Sequence, residues 1–415
     1  MKKFLLSVFM IVSLFAETKE TRLAAYEKFV KVVNIIEAYY VDELNTTTII
    51  NKALKGLLPN LDPHSSYLDK KAYEDLKVQT TGEFGGLGVV IGIRNGVLTV
   101  ISPIDDTPAY KAGLKAGDII LKINGKATLD LTLDEDVNLM RGKPGTKVTL
   151  TIVRGGKTFD VTITRAIIKI KSVKTYALQN YPEIEYIRIS SFDKNVVSSL
   201  KKALKNLKKY HKKGIIIDLR NNPGGLLNQA VGTLDLFIDK GVLVSQKGRV
   251  SSENQVFYAH SSGTYKNIPI VVLVNGGSAS ASEIVSGALQ DHKRAVIVGE
   301  TTFGKGSVQA ILPINKNEAV RLTVARYYLP SGRTIQAKGV VPDIIVHPAK
   351  IEKEKNENAL IKESELKNHL RAELNKNKKT KKTKYNQKIK KLDNDLQLLT
   401  GANILKALII AKQGE

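Results

Sequence analysis

Three apolar runs set the strongest limit on how this chain can fold: GIIIDLR (214–220), IPIVVLV (268–274) and RAVIVGE (294–300). Each is apolar at successive positions rather than alternate ones, so a strand built from it must be covered on both faces. The segments between them read as helices. In SSLKKALKNLKKYHKKG (198–214), Leu200, Leu204 and Leu207 form a stripe at helical spacing while the lysines fall opposite. Strands alternating with helices predict an α/β sheet with helical cover over 168–348.

The flanking regions follow other periods. Over 17–79 the reading is helical: Phe29, Val32, Val33, Ile36 and Tyr40 recur at helical spacing, and LDPHSSYLD supplies a turn. From 80 to 167 short strands and turns take over. They end in GTKVTLTIVRGGKTFDVTITR, whose alternating apolar residues on either side of RGG predict a hairpin. A small, mostly β domain with two short helices fits this stretch. From 349 to 415 the sequence is a Lys/Glu/Asn-rich helical tail. It closes on NILKALIIAK, an apolar patch that needs cover from the same chain or a second copy.

Composition removes several chemistries. The 415 residues contain no cysteine, which excludes disulfides, thiolate metal sites and a cysteine nucleophile. None of the six histidines stands in a metal-binding spacing, which argues against zinc, and no nucleotide cofactor is implied. The net charge of +24 comes largely from the lysine-rich helix and from RAELNKNKKTKKTKYNQKIKK (371–391). No aromatic platform or zinc-finger spacing accompanies either, so nucleic acid is not an expected partner. The helix lysines read as a solvated face. For the tail an anionic membrane surface, an acidic partner and plain solubility all stay open.

At the N-terminus, MKKFLLSVFMIVSLFAETK carries two lysines and the apolar run Phe4–Ala16. That run is shorter than the roughly 20 residues a spanning helix needs, and it fits a secretory signal over 1–16. Leu14 stands where a cleavage site usually has a small residue, which keeps a retained anchor open. Export to the periplasm or cell envelope is the expectation.

The chemistry centres on NGGSASASEIVSGALQDH (275–292), where Ser278, Ser280 and Ser282 alternate at a strand-to-helix junction. Such a serine can cap the helix, permit close packing, or attack a carbonyl near the positive end of the helix dipole. A nucleophile needs a base. His292 lies at the far end of the same helix, roughly 17 Å away for about twelve residues. Lys305, between Gly304 and Gly306 in GETTFGKGSVQ (299–309), is the alternative: one helix and one strand return it to the Ser280 end of the sheet. A lysine acts as base only when neutral, and its ordinary pKa is about 10.4. The site must therefore exclude water and keep carboxylates away from Lys305. Gln309 can orient the amine without adding charge. Oxyanion donors can come from the N–H groups of Gly224 or Gly225 in IIIDLRNNPGGLLNQA, joined by that of the residue after the nucleophile. An ordinary β-to-α turn fits the same residues.

The combination DLRNNPGG, VNGGSASASE, GETTFGKGSVQ and ARYYLPSGRTIQAKGVVPDI resembles the carboxyl-terminal processing proteases, also called tail-specific proteases, from LDPHSSYL near residue 61 to about 346. The resemblance implies an α/β protease core of the crotonase/Clp-like ββα type, an inserted, mostly β PDZ domain at 80–167, and helical N- and C-terminal segments. It implies Ser280 as nucleophile, Lys305 as general base, Gln309 as its orienting residue, and Gly225 (with Gly224 beside it) and Ala281 as oxyanion donors. The family spacing of 25 residues selects Ser280 over Ser278 and Ser282. In the PDZ part, Gly86, Leu87 and Gly88 would receive a peptide's terminal carboxylate, and the next strand would pair with the peptide. Val137 and Met140 would line the pocket for an apolar last residue. Arg141 would either couple this domain to the protease or sit in a solvated turn.

The implied activity is that of a serine endopeptidase that captures protein C-termini and cuts near them. A non-catalytic PDZ scaffold of the envelope and an enzyme acting on acyl thioesters are the alternatives. Expected partners are protein or peptide substrates with apolar C-termini. The patches NIIEAYYV and NILKALIIA motivate a homodimer, and the need for an envelope adaptor protein stays open.

Overall fold

The computed structural model describes residues 19–104, 106–261, 264–349, 389–390 and 395–412. The expected signal at 1–16 and nearly all of the lysine-rich stretch 371–391 lie outside the described residues. The chain forms two compact units. One contains residues up to 73 together with 309–324; the other contains 74–308 and everything from 325 onward.

In the larger unit the three apolar runs become the strands Gly214–Asp218, Ile270–Val274 and Val296–Gly299, adjacent and parallel in a seven-stranded sheet. Tyr181–Ile189 and Val173–Leu178 extend it on one side, with Ile389–Lys390 beyond them, and Ile344–Ile345 closes the other edge. Only the Val173–Leu178 and Tyr181–Ile189 pair is antiparallel. Successive side chains on these strands serve opposite faces. Ile215, Ile217, Val272 and Val274 pack with the helices Val196–Lys209, Leu227–Leu234 and Ala281–Asp291. Ile216, Val271, Leu273 and Val298 meet Leu398, Ala402, Leu405 and Ile409 of the helix Leu396–Ala411 on the other face. The apolar patch near the C-terminus is therefore covered by the same chain. On Val196–Lys209 the predicted stripe of Leu200, Leu204 and Leu207 is buried and its lysines are exposed.

The same unit holds a β module. Val89–Arg94, Val97–Pro103, Ile119–Ile123, Lys147–Arg154 and Lys157–Thr164 form its sheet, with the short helices Pro108–Lys111 and Leu133–Met140. The predicted hairpin is present, closing at Arg154↔Lys157. Leu98, Val100, Ile120, Leu150 and Ile152 form its core. Glu83–Gly86 pairs with Ala166–Lys169, so the chain enters and leaves the module side by side, as an insertion requires.

In the smaller unit, the helices Lys19–Tyr39 and Thr46–Leu57 lead to the LDPHSSYL turn. The Asp62 carboxylate organises that turn by accepting the N–H groups of His64 (2.8 Å) and Ser65 (3.0 Å) and the Ser65 hydroxyl (2.6 Å). Ser66–Leu68 then pairs antiparallel with the stretch 319–321.

Candidate active site

Ser280 stands at the N-cap of Ala281–Asp291, just after the strand Ile270–Val274. Its φ of 53° and ψ of −112° put a side-chain-bearing residue in left-handed territory, at a cost on the order of 1–3 kcal/mol. The three serines now separate. Ser278 is fully buried and donates to the Leu219 carbonyl at 2.8 Å. Ser282 is fully buried and donates to the Asn222 carbonyl at 2.9 Å. Both hydroxyls fasten the strand-to-turn segment 219–222 to the serine turn, whereas Ser280 stays half-buried at the kink.

Lys305 follows the neighbouring strand Val296–Gly299, as the helix-then-strand argument requires. Its loop is threaded closely. At Gly304, with φ of 94°, a Cβ would come within 3.2–3.3 Å of backbone atoms of residues 337–339.

Glu283 joins the two turns. Its side chain has 0 % exposure. Oε2 accepts the N–H of Ser280 and the N–H of Lys305, both at 2.8 Å. Oε1 accepts the Thr302 hydroxyl at 2.5 Å and the Gly304 N–H at 2.6 Å. One buried carboxylate thus holds the serine turn and the lysine loop in register. This corrects the sequence-based requirement that no carboxylate stand near Lys305: Glu283 lies at the lysine's own main chain, its charge distributed over three N–H groups and a hydroxyl. Sequence reasoning missed this role, because SxxE at a helix start reads as an ordinary capping box.

The Pro-Gly-Gly turn lies against Ser280. At Gly224, φ is 100° and a Cβ would fall 2.9 Å from both the Ser280 Cβ and the Ala281 nitrogen, so only glycine fits. The N–H of Gly224 donates to Asn222 Oδ1 at 2.9 Å, which takes it away from any oxyanion and corrects the pairing of Gly224 with Gly225. Gly225 forms a parallel bridge with Phe192. Its neighbours make the bonds, Phe192 N–H to the Gly224 carbonyl and Leu226 N–H to the Phe192 carbonyl, both 2.8 Å. The Gly225 N–H is left facing the other way. Ala281 opens the helix, where N–H groups have no intrahelical acceptor. Asn222, also missed from sequence, shapes the turn: fully buried, it donates to the Ile189 carbonyl at 2.9 Å while accepting from Gly224.

Gln309 belongs to the smaller unit. Its Nε2 donates to Thr323 Oγ1 at 3.3 Å, and that hydroxyl donates to Asp62 Oδ1 at 3.0 Å. A hydroxyl with its one proton committed to a carboxylate must accept from the amide, so this chain sets which way the Gln309 amide faces. His292, dismissed on distance, is the C-cap residue of Ala281–Asp291, and its Nε2 lies 2.7 Å from the Val242 carbonyl.

In the β module, the Leu87 carbonyl accepts the Ala109 N–H at 2.8 Å and the Gly88 carbonyl accepts that of Ile104 at 2.8 Å. In a trans peptide the N–H opposes the carbonyl, so the Gly88 N–H faces away from these inward bonds. Gly86, the other glycine of the predicted carboxylate loop, ends the ribbon opposite Ala166. Val137 is half-buried, but Met140 is only 5 % exposed and packs into the module's core, where it fills space rather than lining an open pocket. Arg141 pairs with Asp75 at 2.7 Å and lies over the Phe84 ring at 5.3 Å, a structural tie in place of a solvated turn.

Comparison with known proteins identifies the family. The Peptidase family S41 pattern matches residues 183–346, a PDZ domain pattern matches 99–154, and the pattern of the activating protease CtpB N-terminal domain matches 11–72. A carboxy-terminal-processing protease of Bartonella bacilliformis is 45 % identical over 375 residues, covering 88 % of this chain and 86 % of that protein. The carboxy-terminal processing protease CtpA of Bacillus subtilis is 36 % identical over 321 residues, covering 77 % and 68 %. Among solved structures, a photosystem II D1 C-terminal processing protease aligns with a TM-score of 0.44 at 29 % identity, covering 77 % of this chain and 92 % of that one. With identity of this extent over nearly its whole length, the chain belongs to the carboxy-terminal processing protease family of serine-type peptidases, an S41 core carrying a PDZ domain.

Proposed function

We propose that this peptidase uses Ser280 as nucleophile and Lys305 as general base, and that its PDZ domain captures the C-termini of unfolded substrates. The observation that carries the reading is Glu283: one buried oxygen accepts the N–H groups of both Ser280 and Lys305, 2.8 Å each. Ser280 Oγ attacks the scissile carbonyl carbon while its proton passes to Lys305 Nζ. The developing oxyanion accepts from the N–H groups of Gly225 and Ala281. As the C–N bond breaks, the leaving amine takes the proton from Lys305. Water then attacks the ester, again giving its proton to Lys305, and the Ser280 oxygen departs as it takes that proton back from the lysine. The loop at Gly86, Leu87 and Gly88 receives the substrate's terminal carboxylate, with Val137 beside its last side chain. The apolar run ahead of Ala16 supports export to the periplasm or cell envelope, as a cleaved signal or a retained anchor.

The test is cleavage of an unfolded protein ending in an apolar residue. Ser280→Ala and Lys305→Ala are each expected to lower the rate by about 10³-fold or more with the unfolding midpoint unchanged. Wild-type activity should rise with pH as the lysine loses its proton. Full activity in either variant, or a flat pH profile, would remove the dyad.

A further inference from the structure

We infer that Asp395, at the N-cap of the C-terminal helix Leu396–Ala411, is a positioning residue for the oxyanion turn and acts through Arg220. The inference rests on the reading of Gly225 and Ala281 as oxyanion donors.

Most of the turn from 219 to 225 is held from the side of the serine helix. The Leu219 carbonyl is tied by Ser278, and the Asn222 carbonyl by Ser282 and by the Ala279 N–H at 3.0 Å. Asn221 exchanges two hydrogen bonds with the Asn275 side chain, at 2.8 and 2.9 Å. Arg220 is different, because its side chain is gripped by the helix covering the opposite face of the sheet. The guanidinium donates to Asp218 at 3.1 and 2.7 Å and to Asp395 at 2.7 and 2.8 Å, a fork to each carboxylate. Gln397, in the first turn of the same helix, accepts at 3.0 Å and donates onward to the Val346 carbonyl at 2.7 Å.

The cluster is balanced and largely dry. Asp218 is 1 % exposed and also accepts from Tyr186 (2.6 Å) and Arg188 (2.8 Å). Burial alone would push its carboxyl up; Arg220, Arg188 and Tyr186 hold it below the ordinary carboxylate range. Two guanidinium groups thus face two carboxylates. Without Asp395, two cations share one carboxylate, and the Arg220 fork loses one of its two anchors. Only Asn221 separates Arg220 from Asn222, whose side chain sets Gly224 and with it the direction of the Gly225 N–H. A shift of Arg220 therefore reaches the oxyanion donor through two residues of backbone.

Asp395→Asn isolates this effect. Asn caps a helix as well as Asp does, so the bond from the Leu398 N–H (3.0 Å) is kept while the charge pairing with Arg220 is lost. The readout is a peptide boronic acid, whose tetrahedral adduct on Ser280 presents an oxygen to the oxyanion donors, compared with a peptide substrate of the same sequence. Asp395→Asn is expected to lower kcat by at least about tenfold, leave KM unchanged, and weaken the boronate by a matching factor. Arg220→Lys, which keeps the charge but loses the fork, should behave alike. Leu405→Ala, on the same helix and away from Arg220, should lower the melting temperature and spare both kcat and boronate affinity. Unchanged kcat and boronate affinity in Asp395→Asn would overturn the inference, as would losses in all three variants that simply follow melting temperature. If the wild type forms no boronate adduct on Ser280 by mass spectrometry, the dyad reading fails and the inference falls with it.

Discussion

Glu283 and Asp136 are equally buried, each at 0 % exposure, in two regions of the larger unit, and their surroundings are opposite. Glu283, in the first turn of the serine helix, accepts from four donors. Asp136, in the PDZ helix Leu133–Met140, finds no hydrogen-bond partner among the described residues at either carboxylate oxygen. Burial, and then the charge of Glu135, push its pKa above the ordinary carboxylate range. Burial by itself therefore says nothing about what a carboxylate does. With donors converging on it, a buried carboxylate fastens the Ser280 and Lys305 turns together; without them it is a liability that a proton removes.

The sharpest way to break this comparison is Glu283→Ala. It orphans three N–H groups and a hydroxyl, and it should cost about 3–5 kcal/mol in urea unfolding and abolish cleavage. Retained activity would mean that the Ser280 and Lys305 turns do not depend on it.

Asp136→Ala should act in the other direction, stabilising the PDZ region by about 1–3 kcal/mol at neutral pH, read by amide hydrogen exchange across 99–154. The pH sign follows from the raised pKa. Folded Asp136 holds its proton to higher pH than the unfolded chain does, so its penalty grows as pH rises through the folded pKa and disappears on acidification. The stability gap between variant and wild type should shrink toward zero near about pH 4. A gap independent of pH would show that Asp136 is not the titrating group.

The smallest effect separates the serines. Ser280→Gly relieves the positive φ and should gain about 1 kcal/mol while losing activity. Ser278→Ala and Ser282→Ala should each lose about 1 kcal/mol. Equal losses from all three would mean that no strain is concentrated at Ser280.

Much of the framework was legible because it depends on local pattern. The runs at 214–220, 268–274 and 294–300 could be nothing but doubly covered strands, and each became one. The Leu200, Leu204 and Leu207 stripe and the RGG hairpin were equally readable. Lys305 was found because strand, helix and strand are consecutive, so chain order returns it to the end of the sheet where the three serines stand; the family spacing of 25 residues then picked Ser280. Glu283 was visible only as a capping residue, since its other partners, Thr302, Gly304 and Lys305, lie 19 to 22 residues away. The partner of Arg220 is 175 residues distant. Met140 read as a pocket residue because period shows which helix positions face inward, not whether what they face is open or filled.

The amino-acid sequence by itself determined the layers, the mostly β stretch at 80–167, and a lysine returned to the end of the sheet where three serines stand, while singling out Ser280 among them took the family resemblance. These follow from periodicity, chain order and residue chemistry, all short-range in sequence. Tertiary structure alone decided which of two glycine N–H groups was already engaged, which serines were structural, and which buried charges found partners. Those outcomes turn on hydrogen-bond geometry between segments distant in the chain, where a difference of an ångström separates a donor that is satisfied from one that is available.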